Sequence, residues 1–393
     1  MRRLCLLALS CVLLAACGGS SSEDTTSTPR PRPTRTPGGP TRTPRPTDTP
    51  GGPTREPTRT RTPRPPQTIF VRTTGDDANP GTSPDQALKT IVAAADRLTP
   101  GSTIHVGPGH YRARVEITGV NGTAALPIRL IADTSGANTG ERPGEVVLDG
   151  GADVVSLLVT RSPFVTVEGF LITGARPREN PEQSATAVHV RGGSTNFSLR
   201  HCLVANGTAA DGIRIQASSD ALVFNNLFFA NDRGIVVNGD SPRARLINNT
   251  VVDHERTGIV FADNAGAAPT GGNVVNNIIE LNGNGLGITV GDGPPSSLVG
   301  YSGNFNLVFE PEATDQATNY RPASIRGDRD VNQDAQFINL EQGDVRMLPT
   351  SPAVDAGNGA IDPTLLSELF DRTTAEDGAR DRMPVDMGYH YPR

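Results

Sequence analysis

The chain has 393 residues with a formal net charge of −6, and it contains 43 Gly, 33 Pro and only 4 Cys. From residue 67 onwards 25 Lys and Arg face 38 Asp and Glu, so this part is clearly acidic. That balance argues against a nucleic-acid partner and makes a metal-bridged acidic polysaccharide more plausible than a bare one. Only Cys202 remains after residue 17, which excludes a disulfide within a processed chain.

The first 17 residues, MRRLCLLALSCVLLAAC, place two arginines before a short apolar run. This pattern predicts a secretory signal rather than a membrane span. Its ending, Leu14-Ala15-Ala16-Cys17, resembles the lipobox of bacterial lipoproteins. The resemblance implies cleavage before Cys17, lipidation of that cysteine, and an exported protein anchored at the cell surface or the periplasmic face. A plain signal peptide with a chance cysteine is the alternative.

Residues 18–66 predict a disordered linker. Between residues 25 and 66, 13 Pro and 13 Thr make up most of the 42 positions, and no core can form from such a composition. Proline-dense sequence favours an extended polyproline II stalk at ~3.1 Å per residue.

Residues 69–117 predict the start of the folded domain. A loop rich in Asp, Asn, Gly and Pro precedes Leu88, Ile91, Val92, Ala95 and Leu98, which recur at helical spacing before Pro100-Gly101. We expect a helix near residues 85–98 that caps the N-terminal end of the domain. The segments TIHVGPGHY, PIRLIAD, VVLDGG, FVTVEGFLITG and TAVHVRGG then read as successive short strands.

Four later segments repeat one another, starting at Ser198, Leu222, Arg245 and Asn273. Each has an apolar strand, a polar bend, a second strand, a polar loop, and a glycine with a third strand. These repeat glycines are Gly212, Gly234, Gly258 and Gly287. Strands this short are stable only if coils stack at about 4.8 Å and pair each strand with its copies. The repeat therefore predicts an all-β fold, a parallel β-helix.

The bends of this β-helix should carry a column of asparagines. Asn226, Asn249 and Asn277 share one repeat position, where stacked amides can hydrogen-bond along the axis and where Asn tolerates left-handed angles. A β-sandwich is the competing all-β interpretation, but it does not explain a repeat of this length.

Both ends of the predicted domain resemble a known family. The run GDDANPGTSPDQALKTIVAAADRLTPGSTIHVGPGHYRARVEI resembles the N-terminal segment of many right-handed β-helix proteins of the pectin-lyase-like superfamily. SPAVDAG and VDMGYHY, within residues 334–391, resemble their closing segment. The resemblance covers residues 69–391 and implies a β-helix over 67–333 with a closing segment over 334–393. It implies no single activity, since the superfamily holds lyases, hydrolases, epimerases and proteins without known catalysis.

The run Asp253-His254-Glu255-Arg256 has the residue types of an active site. Aligned by their asparagine bends, however, the repeats place His254 in a column with Asn206, Asn231 and Asn282. The run also lacks the Tyr-Gly-x-Asp-Pro-His arrangement of the alginate-epimerase branch. We therefore expect a bend role for His254, with catalysis as the alternative.

The third strand of each coil predicts a substrate groove, because related lyases have their cleft along that strand. Aligned on the repeat glycines, one outward column holds His189, Arg214, Val236, Val260 and Thr289, and the next holds Arg191, Gln216, Asn238, Ala262 and Gly291. Adjoining loops add Asp211, Asp232, Arg233, Glu255 and Arg256. Guanidinium and carboxylate groups of this kind suit uronate carboxylates and sugar hydroxyls. A solvated sheet face is the alternative.

Two chemistries are open for such a groove. A lyase needs a base and a cation that stabilises the carbanion. Several lyase branches use lysine, but the single lysine is Lys89, in the predicted cap. Arg214 is then the candidate base, with Asp211 and Asp232 as oxygen ligands for calcium, as the resemblance to calcium-dependent pectate lyases implies. A hydrolase would instead use Asp211 and Asp232 as paired carboxylates.

The sequence thus predicts a monomeric, lipid-anchored β-helix that binds an extracellular, acidic polysaccharide and has the groups to cleave it as a lyase or hydrolase. The predicted catalytic residues are Arg214, Asp211 and Asp232, and the predicted substrate-binding residues are His189, Arg191, Gln216, Arg233, Asn238 and Arg256. A non-catalytic adhesin or rigid surface scaffold is the alternative function. Calcium is the one cofactor considered.

Overall fold

Three parallel sheets, built from one strand of each coil, make up most of the described structure. The computed structural model describes residues 65–177, 185–205, 209–262, 272–283, 286–290, 300–311 and 319–393, all within the unit Arg64–Arg393. Cys17, residues 18–64 of the predicted linker, Asn206 and Gly291 lie outside these residues. No helix in the described ranges is long and apolar enough to cross a membrane.

The strands follow one another in short steps along the chain. The first nine are β1 (Thr68–Val71), β2 (Thr103–Val106), β3 (Gly109–Arg112), β4 (Val115–Thr118), β5 (Ile128–Ala132), β6 (Val146–Asp149), β7 (Val155–Thr160), β8 (Val165–Glu168) and β9 (Leu171–Thr173). The next nine are β10 (Ala185–Arg191), β11 (Ser198–Arg200), β12 (Leu203–Ala205), β13 (Ala210–Gln216), β14 (Leu222–Phe224), β15 (Leu227–Phe229), β16 (Ile235–Asn238), β17 (Ala244–Ile247) and β18 (Thr250–Val252). The last nine are β19 (Ile259–Ala262), β20 (Gly272–Val275), β21 (Ile278–Glu280), β22 (Ile288–Val290), β23 (Tyr301–Asn304), β24 (Leu307–Phe309), β25 (Tyr320–Arg321), β26 (Phe337–Asn339) and β27 (Asp344–Met347).

From β2 to β25, every third strand joins the same sheet, and β1 pairs beside β2. The first sheet has the order β1-β2-β5-β8-β11-β14-β17-β20-β23, the second β3-β6-β9-β12-β15-β18-β21-β24, and the third β4-β7-β10-β13-β16-β19-β22-β25. The neighbours in each are parallel, and only β26 and β27 form a separate antiparallel pair among the described strands. The predicted parallel β-helix is confirmed, and a sandwich of antiparallel strands is excluded.

The inward side chains of the three sheets meet in one continuous apolar core. Val188, Ile213 and Ile235 follow one another in register in the third sheet, and all are fully buried. Burying each such side chain contributes about 1.5–3 kcal/mol, which accounts for the apolar alternation in these strands.

The repeat glycines mark a corner where successive coils touch. A Cβ added to Gly212 would lie 2.6 Å from the carbonyl oxygen of Gly234, and one added to Gly234 would lie 2.6 Å from that of Gly258. Any larger residue would force the backbones of adjacent coils apart, so the glycine period follows from the stacking distance.

The asparagine column is present and longer than predicted. The backbone N–H of Asn226 donates to Oδ1 of Asn249 (3.0 Å), and the N–H of Asn249 donates to Oδ1 of Asn277 (2.9 Å). The column continues through Asn306, whose N–H donates to the carboxylate of Asp330 at 2.8 Å. These buried amides satisfy bend N–H groups that would otherwise lack partners.

The N-terminal cap is shorter than the predicted helix. A 3₁₀ turn spans Pro84–Gln86, and helix α1 covers only Ile91–Ala95, with the Thr90 hydroxyl accepting from the Ala93 N–H. Leu88 was predicted to be helical, but its N–H donates to the Phe70 carbonyl (2.9 Å) and its own carbonyl accepts from Arg72. Val92, one of the apolar residues at helical spacing, is 37 % exposed. Helix α1 contacts β1, β2 and β4, the first strands of the first and third sheets.

Residues 334–393 lie along the side of the coils. Helix α2 (Pro363–Phe370) packs Leu365 and Leu369 against Leu222, Phe224 and Ile247 of the first sheet.

Three asparagines, Asn225, Asn248 and Asn276, each precede a column asparagine and donate their side-chain amides to carbonyls of His390, Asp386 and Asn358. One polar bend thus serves two purposes: its second asparagine bonds the next coil, and its first holds the C-terminal segment.

Candidate functional site

The outer face of the third sheet brings together the residues predicted for the groove. His189 pairs in register with Arg214, and Arg214 with Val236, Val236 with Val260 and Val260 with Thr289. In the next column Arg191, Gln216, Asn238 and Ala262 follow one another. Both predicted columns therefore agree with the register as far as Gly291, which lies outside the described residues. Val236 and Thr289 are nearly buried, so the polar end of the face is the N-terminal one.

Asp211 is the centre of the polar end. Its side chain is fully buried, and it accepts from two arginines of different coils. Arg214 Nε donates to Oδ2 at 3.1 Å and Arg214 Nη2 contacts the same oxygen. Arg233 Nε donates to Oδ1 at 2.7 Å and Arg233 Nη2 to Oδ2 at 3.0 Å. Two guanidinium groups thus share one carboxylate, which leaves the cluster with one net positive charge.

Asp232 forms a separate pair in the adjoining coil. Arg256 Nε donates to Asp232 Oδ1 at 2.6 Å, and Arg256 Nη2 contacts Oδ2. The pair is neutral as a whole, and the Arg256 side chain is about half exposed. The structure therefore divides the predicted residues into a cationic cluster around Asp211 and a neutral pair at its rim.

Of the remaining predicted binding residues, His189, Gln216 and Asn238 offer uncharged hydrogen-bonding groups, and Arg191 adds a cation. Gln216 Oε1 lies 3.3 Å from Nε2 of His189, and burial lowers the pKa of His189 to about 4 despite that contact. The imidazole is therefore neutral at pH 7. Arg191 is exposed, and its Nε donates to the Thr160 hydroxyl at 3.2 Å. Asn238 Oδ1 is buried without a hydrogen-bond partner among the described residues.

The arrangement does not fit the predicted calcium site. Calcium takes six to eight oxygen ligands. Both oxygens of Asp211 already accept from arginine, as do both oxygens of Asp232. Over the described ranges, no group of three or more His, Cys, Asp or Glu side chains could hold a metal ion. A cation here would also meet three guanidinium groups at close range.

The catalytic roles stay predictions. Arg214 already donates to the Asp211 carboxylate through Nε and Nη2, whereas a base needs a nitrogen free to accept the substrate's proton. Asp211 and Asp232 are likewise engaged by arginines, whereas a nucleophile or general acid needs an oxygen free for the substrate. The geometry of this cluster suits recognition of an anion better than proton transfer.

His254 lies in a bend column, as predicted. Its side chain is 3 % exposed, and its Nδ1 accepts from the Asn231 N–H at 3.0 Å. The N–H of His254 donates in turn to Oδ1 of Asn282 at 3.3 Å, and burial lowers the pKa of His254 to about 3. Its Nε2 has no hydrogen-bond partner within the described part of the chain. The neutral imidazole accepts a backbone hydrogen bond from the preceding coil, as the amide oxygen of a column asparagine does. The predicted bend role of His254 is therefore confirmed.

Two buried acids, Glu280 and Glu310, lie near the end of the same column and were not predicted from the sequence. Glu310 accepts from the Asn282 N–H (2.5 Å) and from its amide nitrogen (2.8 Å), and burial raises its pKa to about 7. Glu280 accepts from the Ala335 N–H at 2.9 Å, and burial raises its pKa to about 8. The repeat alignment would not have found Glu310, because the column residue follows its bend asparagine by five positions, which after Asn306 is Pro311.

Comparisons with known proteins agree with this architecture. A family model described as a right-handed beta helix region matches residues 149–297. The pectate lyase Pel9A structure is similar at 14 % identity, covering 83 % of this chain and 96 % of its own, with a TM-score of 0.52. No curated protein matches the chain.

Two further solved structures have lower TM-scores. A GH136 lacto-N-biosidase from Eubacterium ramulus is 15 % identical over 62 % of this chain and 56 % of its own, with a TM-score of 0.46. A pectin methylesterase from Aspergillus niger is 13 % identical over 78 % and 95 %, with a TM-score of 0.37. Taken with the three parallel sheets, the matched family region and the Pel9A likeness identify the chain as a right-handed parallel β-helix of the pectin-lyase-like fold.

Proposed function

We propose that this protein binds an acidic polysaccharide along the outer face of its third sheet. The observation that carries the proposal is the pair of guanidinium groups, Arg214 and Arg233, on the single buried carboxylate of Asp211. The cluster keeps one net positive charge. Because Asp211 holds both guanidinium groups in place, little side-chain entropy is lost when a uronate carboxylate binds.

Neighbouring coils extend this cluster in a way that suits a linear polymer. Arg191 adds a second, exposed cation in the adjacent column, one coil nearer the N-terminus. Gln216, His189 and Asn238 add neutral donors and acceptors for sugar hydroxyls. Coils about 4.8 Å apart present such groups at regular intervals along the axis. The name of one similar structure, a pectate lyase, supports the same class of ligand.

Binding is proposed ahead of cleavage because the acidic groups of the face are already paired. Asp211 and Asp232 both accept from arginine, and Lys89, the single lysine of the chain, lies next to the N-terminal cap helix. A lyase or hydrolase activity would require these pairs to open when the substrate binds.

A rigid, non-catalytic surface scaffold is the second candidate. The observation that favours it is the continuous column of buried amides from Asn226 to Asp330, which ties each coil to the next. Such a column would hold the outer surfaces of successive coils in a fixed arrangement for display.

Anchoring through a lipid on Cys17, by way of the linker over residues 18–66, belongs to the same proposal. Its support is the lipobox-like run that ends at Cys17. Cells that express the chain should incorporate radiolabelled palmitate into it and retain it in the membrane fraction, and Cys17→Ser should abolish both. A variant that stays labelled and membrane-bound would contradict the anchor.

The glycan proposal is tested on an array of polyuronates and neutral polysaccharides, with and without calcium. We expect binding to a polyuronate that is independent of calcium, weakened by salt and weakened by Arg214→Ala. Arg243→Ala is the matched control, since Arg243 makes a comparable bidentate pair with Asp220 beside the first sheet. Absorbance of an unsaturated uronate product in the ultraviolet would reveal lyase activity. Binding to no glycan, with retention on cells or matrix protein, would favour the scaffold.

A further inference from the structure

A cavity of about 670 Å³ opens in the C-terminal segment, and it shares no residue with the face of the third sheet. Ligand pockets in proteins have volumes of about 300–1,000 Å³. We propose that this cavity is a second binding site and that its ligand is an uncharged sugar. The proposal is independent of the function proposed for the third sheet.

Three separate stretches of chain build the cavity, and backbone hydrogen bonds tie them together. The N–H of Tyr391 donates to the Thr373 carbonyl at 2.7 Å, and the N–H of Thr373 donates to the Tyr391 carbonyl at 3.1 Å. The N–H of Met347 donates to the Thr374 carbonyl at 2.9 Å. The walls are therefore held together without a ligand, and ordering them on binding costs little.

A fixed guanidinium and carboxylate form one part of the wall. Arg346 Nε donates to both oxygens of Asp344, at 2.9 and 3.1 Å, and its Nη1 donates to the Glu376 carbonyl at 3.1 Å. Both side chains remain partly exposed. The pair presents donors and acceptors side by side in one plane, which suits adjacent sugar hydroxyls.

Tyr391 supplies an aromatic surface whose orientation is also fixed. Its hydroxyl accepts from the Val345 N–H at 3.0 Å, and its ring packs edge-on against Tyr389 with centroids 4.9 Å apart. Beyond this ring the lining is short of apolar side chains, with only Ala375 and Pro392. A ligand with one weakly apolar face and many hydroxyl groups fits this lining better than an apolar molecule does.

Charge separates this cavity from the third sheet. Asp344 and Arg346 form an ion pair, and Asp377 and Arg393, which line the same cavity, add one side-chain charge of each sign. With no net side-chain charge, the cavity offers no general attraction to a uronate, in contrast to the Asp211 cluster. The expected ligand is therefore a neutral sugar unit, either free or within a glycan chain.

The test titrates the full chain, purified in detergent, with neutral xylo-, manno-, galacto- and cello-oligosaccharides and a polyuronate, followed by calorimetry. We expect one neutral series to bind. Ala375→Phe, which adds a ring to the cavity lining, narrows the cavity and removes no polar group, should weaken that binding by about tenfold or more. Arg346→Lys keeps the charge but loses the planar fork, and should weaken it similarly. Both variants should keep the wild-type melting temperature and polyuronate affinity.

Two results would overturn the proposal. One is that no neutral series binds. The other is that neutral binding survives both Ala375→Phe and Arg346→Lys, which would place the sugar outside this cavity, and its loss in Arg214→Ala would then place it on the third sheet. If either variant melts early, the other variant alone decides the test.

Discussion

The cluster around Asp211 and the run from Asp253 to Arg256 contain the same kinds of residue, yet the fold gives them different surroundings. The side chains of the run do not meet in one place. His254 is buried in a bend column, whereas Arg256 pairs with Asp232 of the preceding coil. In the cluster, residues from two coils converge on one carboxylate. Proximity in the sequence is therefore a weaker guide to a site here than the register between coils.

The largest effect should come from removing the carboxylate of the cluster. Asp211→Ala leaves Arg214 and Arg233 facing each other without their shared partner, and breaking a buried ion pair costs about 3–5 kcal/mol. Urea unfolding measures the loss. Asp220→Ala, which removes the partner of the exposed Arg243, is the control and should cost about 1 kcal/mol or less. Equal costs would show that Asp211 is not the centre of the cluster.

Glu280 and Glu310 should make the bend region sensitive to alkaline pH. Burial raises the pKa of Glu280 to about 8 and that of Glu310 to about 7, both above the ordinary value of 4.5. Folding therefore favours the protonated acids, and their contribution is complete below about pH 4.5 and is lost as pH rises through 7 and 8.

The melting temperature should accordingly fall by several degrees between pH 6 and 9. Glu280→Gln should reduce that fall, because an amide stays neutral at every pH. Glu341→Gln, at an exposed position, should leave the profile unchanged. A wild-type melting temperature that is flat over this range would contradict the raised pKa values.

Arg214→Ala should have an intermediate effect, and on binding only. Asp211 keeps Arg233 as a partner, so the melting temperature should change little. The lost charge-assisted hydrogen bond should weaken binding of an acidic glycan by about 1.5–3 kcal/mol. Arg191→Ala should act in the same direction more weakly. Calorimetric titration with the polyuronate that binds the wild type measures this loss of affinity. An unchanged affinity would show that the ligand binds elsewhere.

His254→Asn should have the smallest effect. An asparagine can accept from the Asn231 N–H as Nδ1 of His254 does, and its amide can donate to the preceding coil, as Asn282 donates to the Val251 carbonyl. Stability and glycan binding at pH 7 should remain nearly unchanged.

The stabilities of the wild type and His254→Asn should differ more clearly at acid pH. The pKa of His254 is lowered from 6.5 to about 3, so its contribution is present above pH 6.5 and is lost as pH falls towards 3. His254→Asn should therefore keep more stability at pH 4 than the wild type in urea unfolding. If His254→Asn abolishes glycan binding or cleavage while Arg214→Ala is silent, the site lies at the bend.

The sequence by itself determined the coils. The glycine and asparagine periods predicted a parallel β-helix and the columns through Asn226 and His189, because stacked coils repeat the same local requirements every turn. The sequence did not determine which side chains pair with one another across the coils. Asp211, predicted to lie in a loop, is in β13, and whether it binds calcium, a substrate or Arg233 depends on side chains of the neighbouring coil, which no repeat constrains. Leu88 also shows the limit of helical spacing, because its extended pairing with Val71 needs a strand distant in sequence. The tertiary structure alone decided these contacts, since each joins groups that the chain brings together only when the coils stack.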